Sequence, residues 1–346
     1  MLHSFDTTNN GWPSRIQQEL AGAAKAETAF QLLRDNYIRR FLTECQVRQV
    51  EPVFFKGYAL GQTVYPNPCT RPSVDVDLIV KPGDIDTIVG ILESQGFQLF
   101  APYRGKLHSN EVVCRRTVNG VSLEFDCHFA INNRPLLAKL LNYDELKARA
   151  VPIEMKTANS GERIDSLVPC LEHSLFLACI HKVAHNNTED LLWLSDFSHI
   201  ANAMDQSQIE AFLRLCQDKM ASRICAAGIR SAGSSLRHRD LCAIAKQLDS
   251  DSKPNEPTAV YLRDNRSSGG DAFVRWNSLE TLRKKAYYLA ELLFPKRSFL
   301  VWKYGANSPF PYLRNIKDLV EMIAKAIFAQ VRRVKEPGAT NRQGPN

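Results

Sequence analysis

Two aspartates two residues apart in an apolar run, Val74 to Val80 (VDVDLIV), are the residues of this sequence best placed to do chemistry. Alternate side chains of an extended strand share a face, so Asp75 and Asp77 point the same way while Val76 and Leu78 anchor the other side. Carboxylates so close repel unless something positive sits between them. A second run, Leu123 to Phe129 (LEFDCHF), puts Glu124, Asp126 and His128 on one face in the same manner. Three or four carboxylates converging on one sheet surface suit a pair of Mg²⁺ ions, hard cations that take oxygen ligands and borrow the rest from phosphate and water. An edge strand would tolerate an isolated Asp-x-Asp pair, so the inference rests on the convergence. His128 shares the face of Asp126, either at the metal or as a group that orients a carboxylate.

The elements that must hold these residues follow from periodicity. Residues 14–47 carry apolar groups at helical spacing with no proline, which predicts one long opening helix. Pro52 to Phe55 is a short apolar run ending at Lys56-Gly57, followed by a helix that Pro66-Asn67-Pro68 stops. The acidic strand 74–80 ends at Lys81-Pro82-Gly83. A helix over 84–95 with Asp84 as its cap, a strand at 97–100, and a hairpin of 112–118 with 121–131 about Asn119-Gly120 come next. One further β segment is expected at 151–164. Helices are expected near 168–187, 189–203, 206–231, 237–248 and 278–293, with a polar loop at 249–271 and a disordered end from 335 to 346.

The 346 residues leave room for two domains, and 44% hydrophobic with 23% charged residues excludes fibrous and low-complexity chains. No apolar run approaches a membrane span, and Met1 to Asn10 lacks the features of a signal peptide, so a cytoplasmic protein is expected. The nine cysteines form no Cys-x-x-Cys pair and read as reduced core residues. The formal charge of +7 is uneven: 16 Lys and Arg against 7 Asp and Glu lie from Leu262 onward. That asymmetry fits a nucleic acid, an acidic polymer, a membrane surface or an ordinary solvated helix face.

The ordered set of Lys56-Gly57-Tyr58-Ala59-Leu60, Tyr65-Pro66, Arg71-Pro72, Asp75-Val76-Asp77-Leu78 and Leu123 to Phe129 resembles the family of uncharacterised nucleotidyltransferases. These belong to the superfold typified by DNA polymerase beta and the aminoglycoside nucleotidyltransferases. Leu175 to Ile200 is similar to the family's helical segment, with His181, Lys182, His185, Trp193 and Asp196. The resemblance spans residues 14–330. It implies an α+β fold, a mixed β-sheet core with flanking helices followed by a mainly helical C-terminal domain. The expected division is a helix at 1–48 packed on the core, the core at 49–165, helices at 166–334 and the tail. The superfold usually has Gly-Ser or Gly-Gly at the turn, whereas Tyr58 follows Gly57 here; backbone N–H groups at a helix start can still bind phosphate.

The resemblance implies transfer of a nucleoside monophosphate from an NTP to an acceptor hydroxyl. Asp75, Asp77 and Asp126 would be the catalytic and metal-binding residues, and Lys56, Gly57, Arg71 and Lys182 would meet the nucleotide. Relatives near cell-surface polysaccharide genes suggest a small or glycan-type acceptor and favour it over nucleic acid. His181 and His185 have the spacing of a zinc site, but Lys182 stands where the glutamate of His-Glu-x-x-His would be. Asp196 is a cap, an ion-pair partner or a site residue. No Gly-x-Ser-x-Gly elbow, P-loop or kinase signature occurs. Two rivals remain: a non-catalytic nucleotide-binding or interaction module of the same fold, and a toxin-like transferase that modifies RNA or protein.

Overall fold

The computed structural model describes residues 12–101, 105, 107–155, 164–185, 190–262 and 274–335, with backbone alone for 155 and 325–335. The expected disordered end beyond 335, most of the second half of the 249–271 loop and the middle of the 151–164 segment lie outside the described residues. Those within Met1–Ala101, Asn110–Asn133 and Leu137–Leu262 form the larger of two compact units. Those within Pro102–Ser109, Arg134–Leu136 and Arg263–Asn346 form the smaller.

The larger unit is built on a mixed seven-stranded sheet ordered β3-β4-β5-β2-β1-β7-β6. Its strands are β1 (Val53–Phe55), β2 (Asp75–Ile79), β3 (Gln98–Ala101), β4 (Glu111–Val118), β5 (Val121–His128), β6 (Val151–Met155) and β7 (Ile164–Val168). β2 pairs antiparallel with β1 and parallel with β5, so the acidic strand runs through the middle of the sheet. Asn119 and Gly120 both take positive φ, 50° and 79°, the two-residue turn that matches strand twist and locks the β4–β5 register.

Helices α1 (Ser14–Val47) and α3 (Ile85–Ser94) cover one face. Tyr37, Ile38, Phe41 and Cys45 of α1 recur at helical spacing and are buried; Phe41 packs its ring 5.4 Å from Phe125 and 6.4 Å from Phe54. Each fully buried ring contributes roughly 1.5–3 kcal/mol. The same helix braces the loop that leads into the acidic strand, because Arg34 donates to the Ser73 carbonyl (2.7 Å) and Gln31 to that of Pro68 (2.7 Å). α2 (Lys56–Thr63) follows β1 directly, and α4 (Pro135–Ala138) and α5 (Tyr143–Ala148) lead to the β6–β7 pair. Then come α6 (Leu171–Ala184), α7 (Leu191–Ala203), α8 (Gln206–Asp218), α9 (Ser222–Leu236) and α10 (Arg239–Asp251). The smaller unit holds α11 (Leu282–Leu293), α12 (Arg297–Tyr304) and α13 (Pro311–Lys335), gathered on Tyr288, Leu292 and Leu319.

Three local expectations are corrected. The helix expected over 206–231 is two, because the chain closes α8 with Met220 at φ 52° and an Ala221 N–H to Cys216 carbonyl bond. That left-handed stop usually carries glycine, so the sequence gives no warning of it. The β segment at 151–164 is an antiparallel pair of strands. Asp84 precedes α3 without a side-chain cap bond, since its backbone is already helical. Beyond 293, in the stretch expected to be helical without individual helices being placed, lie α12 and α13. The nine cysteines are free, six of them buried.

Candidate active site

Strand pairing assembles the site. On β2, Asp75 and Asp77 lie beside Glu124 and Asp126 of β5, and Ile79 lies beside His128. β4 adds Glu111 opposite His128. The back of the same strands, Val76, Leu78, Leu123, Phe125 and Cys127, is sealed in the core, which fixes the acidic face outward from it. A one-residue slip would bury the carboxylates among Phe41 and Phe125.

At the edge of this face β1 becomes α2 in a single step, with Lys56 at φ 55°. A non-glycine residue there costs about 1–2 kcal/mol. The conformation brings the Lys56 ammonium onto Asp77, Nζ to Oδ1 at 2.5 Å. The same oxygen lies 3.0 Å from His128 Nε2, and His128 Nδ1 lies 3.2 Å from Glu111 Oε2. Gly57 follows because nothing larger fits: a Cβ there would meet Ser73 Oγ at 2.7 Å and Arg71 Nη1 at 3.0 Å.

The charges are unequal. Burial alone would raise the Asp77 carboxyl, but Lys56 and His128 outweigh it and hold Asp77 below the ordinary carboxylate range. Burial raises Asp75, and the charge of Asp77 adds to it. Asp126 is pushed up to about 8, first by burial and then by Asp77, Asp75 and Glu111. Its Oδ1 is closed off from solvent and has no hydrogen-bond partner. Donor atoms of Asp77, Asp126 and His128 all lie within 4.8 Å of one another. An orphaned buried carboxylate oxygen beside a surplus of negative charge is what a divalent cation would satisfy, so these residues fit one; His128 adds a nitrogen donor to an otherwise hard oxygen set.

Next to Lys56 opens a cavity walled mainly by Phe55, Leu60, Leu177, Trp193 and Phe197, with His181 among them. Burial, followed by the Lys56 charge, pushes the His181 imidazole down to about 3, so it is neutral. Its ring lies 4.5 Å from that of His185 and 4.7 Å from Trp193, an aromatic cluster in which no third metal donor takes part among the described residues. Arg71 and Asp196 line the same cavity as a two-pronged ion pair, with both hydrogen bonds at 2.8 Å, and the Tyr65 hydroxyl donates to Asp196 at 2.7 Å.

The structure therefore brings Lys56, Gly57, Asp75, Asp77, Asp126 and His128 together, with Arg71, Asp196 and His181 beside them. Glu124 shares their face but is paired with Arg115. Lys182 is buried and does not line the cavity. Sequence reasoning missed Glu111, Ser73 and the partners of Asp196. Glu111 was within reach, since it is the last of the eight pairs counted out from the Asn119-Gly120 turn.

No curated protein matches the chain by sequence. Among solved structures, the antibiotic-resistance factor ANT(2'')-Ia is similar at 13% identity and a TM-score of 0.37, over 60% of this chain and 97% of that one. Residues 3–236, well over half of the sequence, match the profile of the family described as uncharacterised nucleotidyltransferase, and the chain belongs to that family.

Proposed function

We propose that the protein transfers a nucleoside monophosphate from an NTP to a hydroxyl of a small or glycan-type acceptor. The observation that carries this is the unsatisfied Asp126 carboxylate beside Asp75 and Asp77, with Lys56, the partner of Asp77, also lining a mostly apolar cavity. Asp77 and Asp126, with Asp75 and the nitrogen of His128, would hold the divalent cation, expected to be Mg²⁺ as a pair of ions. Such ions neutralise phosphate charge and acidify a bound hydroxyl.

The chain's own residues divide the remaining work. The Lys56 ammonium and the backbone N–H groups at the start of α2 meet phosphate oxygens and hold the α-phosphorus in line with the acceptor. A carboxylate oxygen of Asp126 takes the proton from the acceptor hydroxyl as its oxygen bonds to the α-phosphorus, and the bond to pyrophosphate breaks. Arg71, held by Asp196, adds positive potential at the cavity wall without leaving its partner. His181, neutral and apolar in effect, helps exclude water from that wall.

The test is incubation of the purified chain with each α-labelled NTP, Mg²⁺ and a small-molecule fraction of cell extract. Label on a small molecule that Asp126→Asn abolishes is the expected result. Label on RNA or protein would replace the acceptor class. No label together with NTP binding would turn the protein into a nucleotide-binding module.

A further inference from the structure

We infer that the smaller unit docks on an anionic lipid bilayer through α13 and its neighbours. This goes beyond nucleotidyl transfer and does not depend on it. α13 carries two apolar stripes where a packed helix needs one. Asn315, Leu319 and Met322 face Tyr288 and Leu292 inside the unit. Leu313, Val320 and Ile323 recur at the same helical spacing and are 63%, 59% and 46% exposed. Trp302 of α12 and Phe294 at the end of α11 are more than half exposed as well. The sequence of the last turns, with Ile327, Val331 and Val334 among Lys325, Arg332, Arg333 and Lys335, continues the pattern.

Charge says what covers this surface. Residues 274–335 hold thirteen Lys and Arg against four Asp and Glu. Each of those acids is already engaged: Glu280 with Lys284, Glu291 with the Leu107 N–H, Asp318 with Lys303 and Glu321 with Lys317. Over residues 274–335 the positive charges thus outnumber the acids that could balance them. A second copy of the same surface would set like charge against like. A nucleic acid would answer the lysines and arginines but gains little from exposed leucine, valine and isoleucine. A bilayer carrying acidic headgroups answers both, taking aliphatic side chains below the headgroups, aromatic rings at their level and basic groups at the surface. Among the described residues no helix is long and apolar enough to cross a membrane, so the mode is interfacial.

The test uses the full chain with vesicles of phosphatidylcholine, with and without about a quarter phosphatidylglycerol. Binding at least about ten-fold tighter to the acidic vesicles, weakened by salt, is expected. Leu313→Asp with Val320→Asp, both at exposed positions, should lower it at least about ten-fold at an unchanged melting temperature, while Asp77→Asn binds as the parent does. Should the double variant melt early, bromine-labelled lipid chains give an independent measure: they should quench fluorescence, and Trp302→Phe should remove most of that quenching. Equal binding to both vesicle types, or none, overturns the inference. So does a concentration-dependent dimer that the double variant dissolves, or salt-dependent RNA binding that it abolishes while vesicle binding survives.

Discussion

Gly57 separates space from backbone freedom, since its φ is ordinary and only the room around it is short. Gly57→Ala drives a methyl into Ser73 Oγ and Arg71 Nη1, and about 1–3 kcal/mol should be lost in urea unfolding. Gly90, inside α3 with nothing within 4 Å of its would-be Cβ, gives the opposite sign: Gly90→Ala should gain ~0.5–1 kcal/mol. The two aspartates part company in the same way. Sequence alone suggests that removing either charge relieves repulsion. Asp77, however, neutralises the Lys56 ammonium, so Asp77→Asn leaves a largely buried cation short of its partner and should cost ~3 kcal/mol. Around Asp126 burial and the charges of Asp77, Asp75 and Glu111 outweigh that of Lys56, and one oxygen is unsatisfied, so Asp126→Asn should raise the melting temperature without ligand and abolish any rise on adding Mg²⁺ with NTP.

At the scale of elements, two helices carry predictions of their own. His173 in α6 is buried, and burial, followed by the Arg149 charge, pushes its imidazole down to about 4. The unfolded chain therefore binds a proton that the folded chain refuses between pH 6.5 and about 4. Stability is complete above 6.5 and falls as pH drops through that window, by up to roughly 3 kcal/mol. His173→Gln should flatten the slope in melts taken across that range. In the smaller unit, the wholly buried Asn315 of α13 donates to the carbonyls of Leu292 (2.7 Å) and Leu293 (3.2 Å), satisfying the end of α11. Asn315→Ala should cost ~1–3 kcal/mol, read as an earlier melt of near-ultraviolet ellipticity.

Across the whole molecule, what the sequence discloses depends on the range of the forces involved. The long helix α1, the β1–α2 step, the acidic strand and the β4–β5 hairpin were legible because periodicity and turn chemistry are local. Asp75, Asp77 and Asp126 were legible as candidates because strand alternation fixes which side chains share a face. The Lys56 to Asp77 contact was not, since it needs β1 laid antiparallel to β2. Nor was the Arg71–Asp196 pair, whose members are 125 positions apart. The Met220 stop between α8 and α9 arises where helix packing overrides the local preference for continuing. Thiol chemistry tests the whole chain at once: Cys242 alone is exposed, with Cys69 and Cys170 half-buried. A thiol reagent should modify one group quickly in the native protein and nine on unfolding.

The tie between Arg71 and Asp196 bears on how the cavity is entered. It joins the loop before β2 to α7, both of which line the cavity, and both side chains are nearly wholly withdrawn from water. Swinging α7 away would strand two charges, at a cost of ~3–5 kcal/mol, so such an excursion would be populated at less than about one part in a hundred. Amide protons in the middle of α7 should then exchange with deuterated solvent nearly as slowly as those of the central strands, and Asp196→Asn should quicken them. An incoming molecule must therefore use the standing mouth of the cavity, and its girth is limited by a gap that thermal motion scarcely changes.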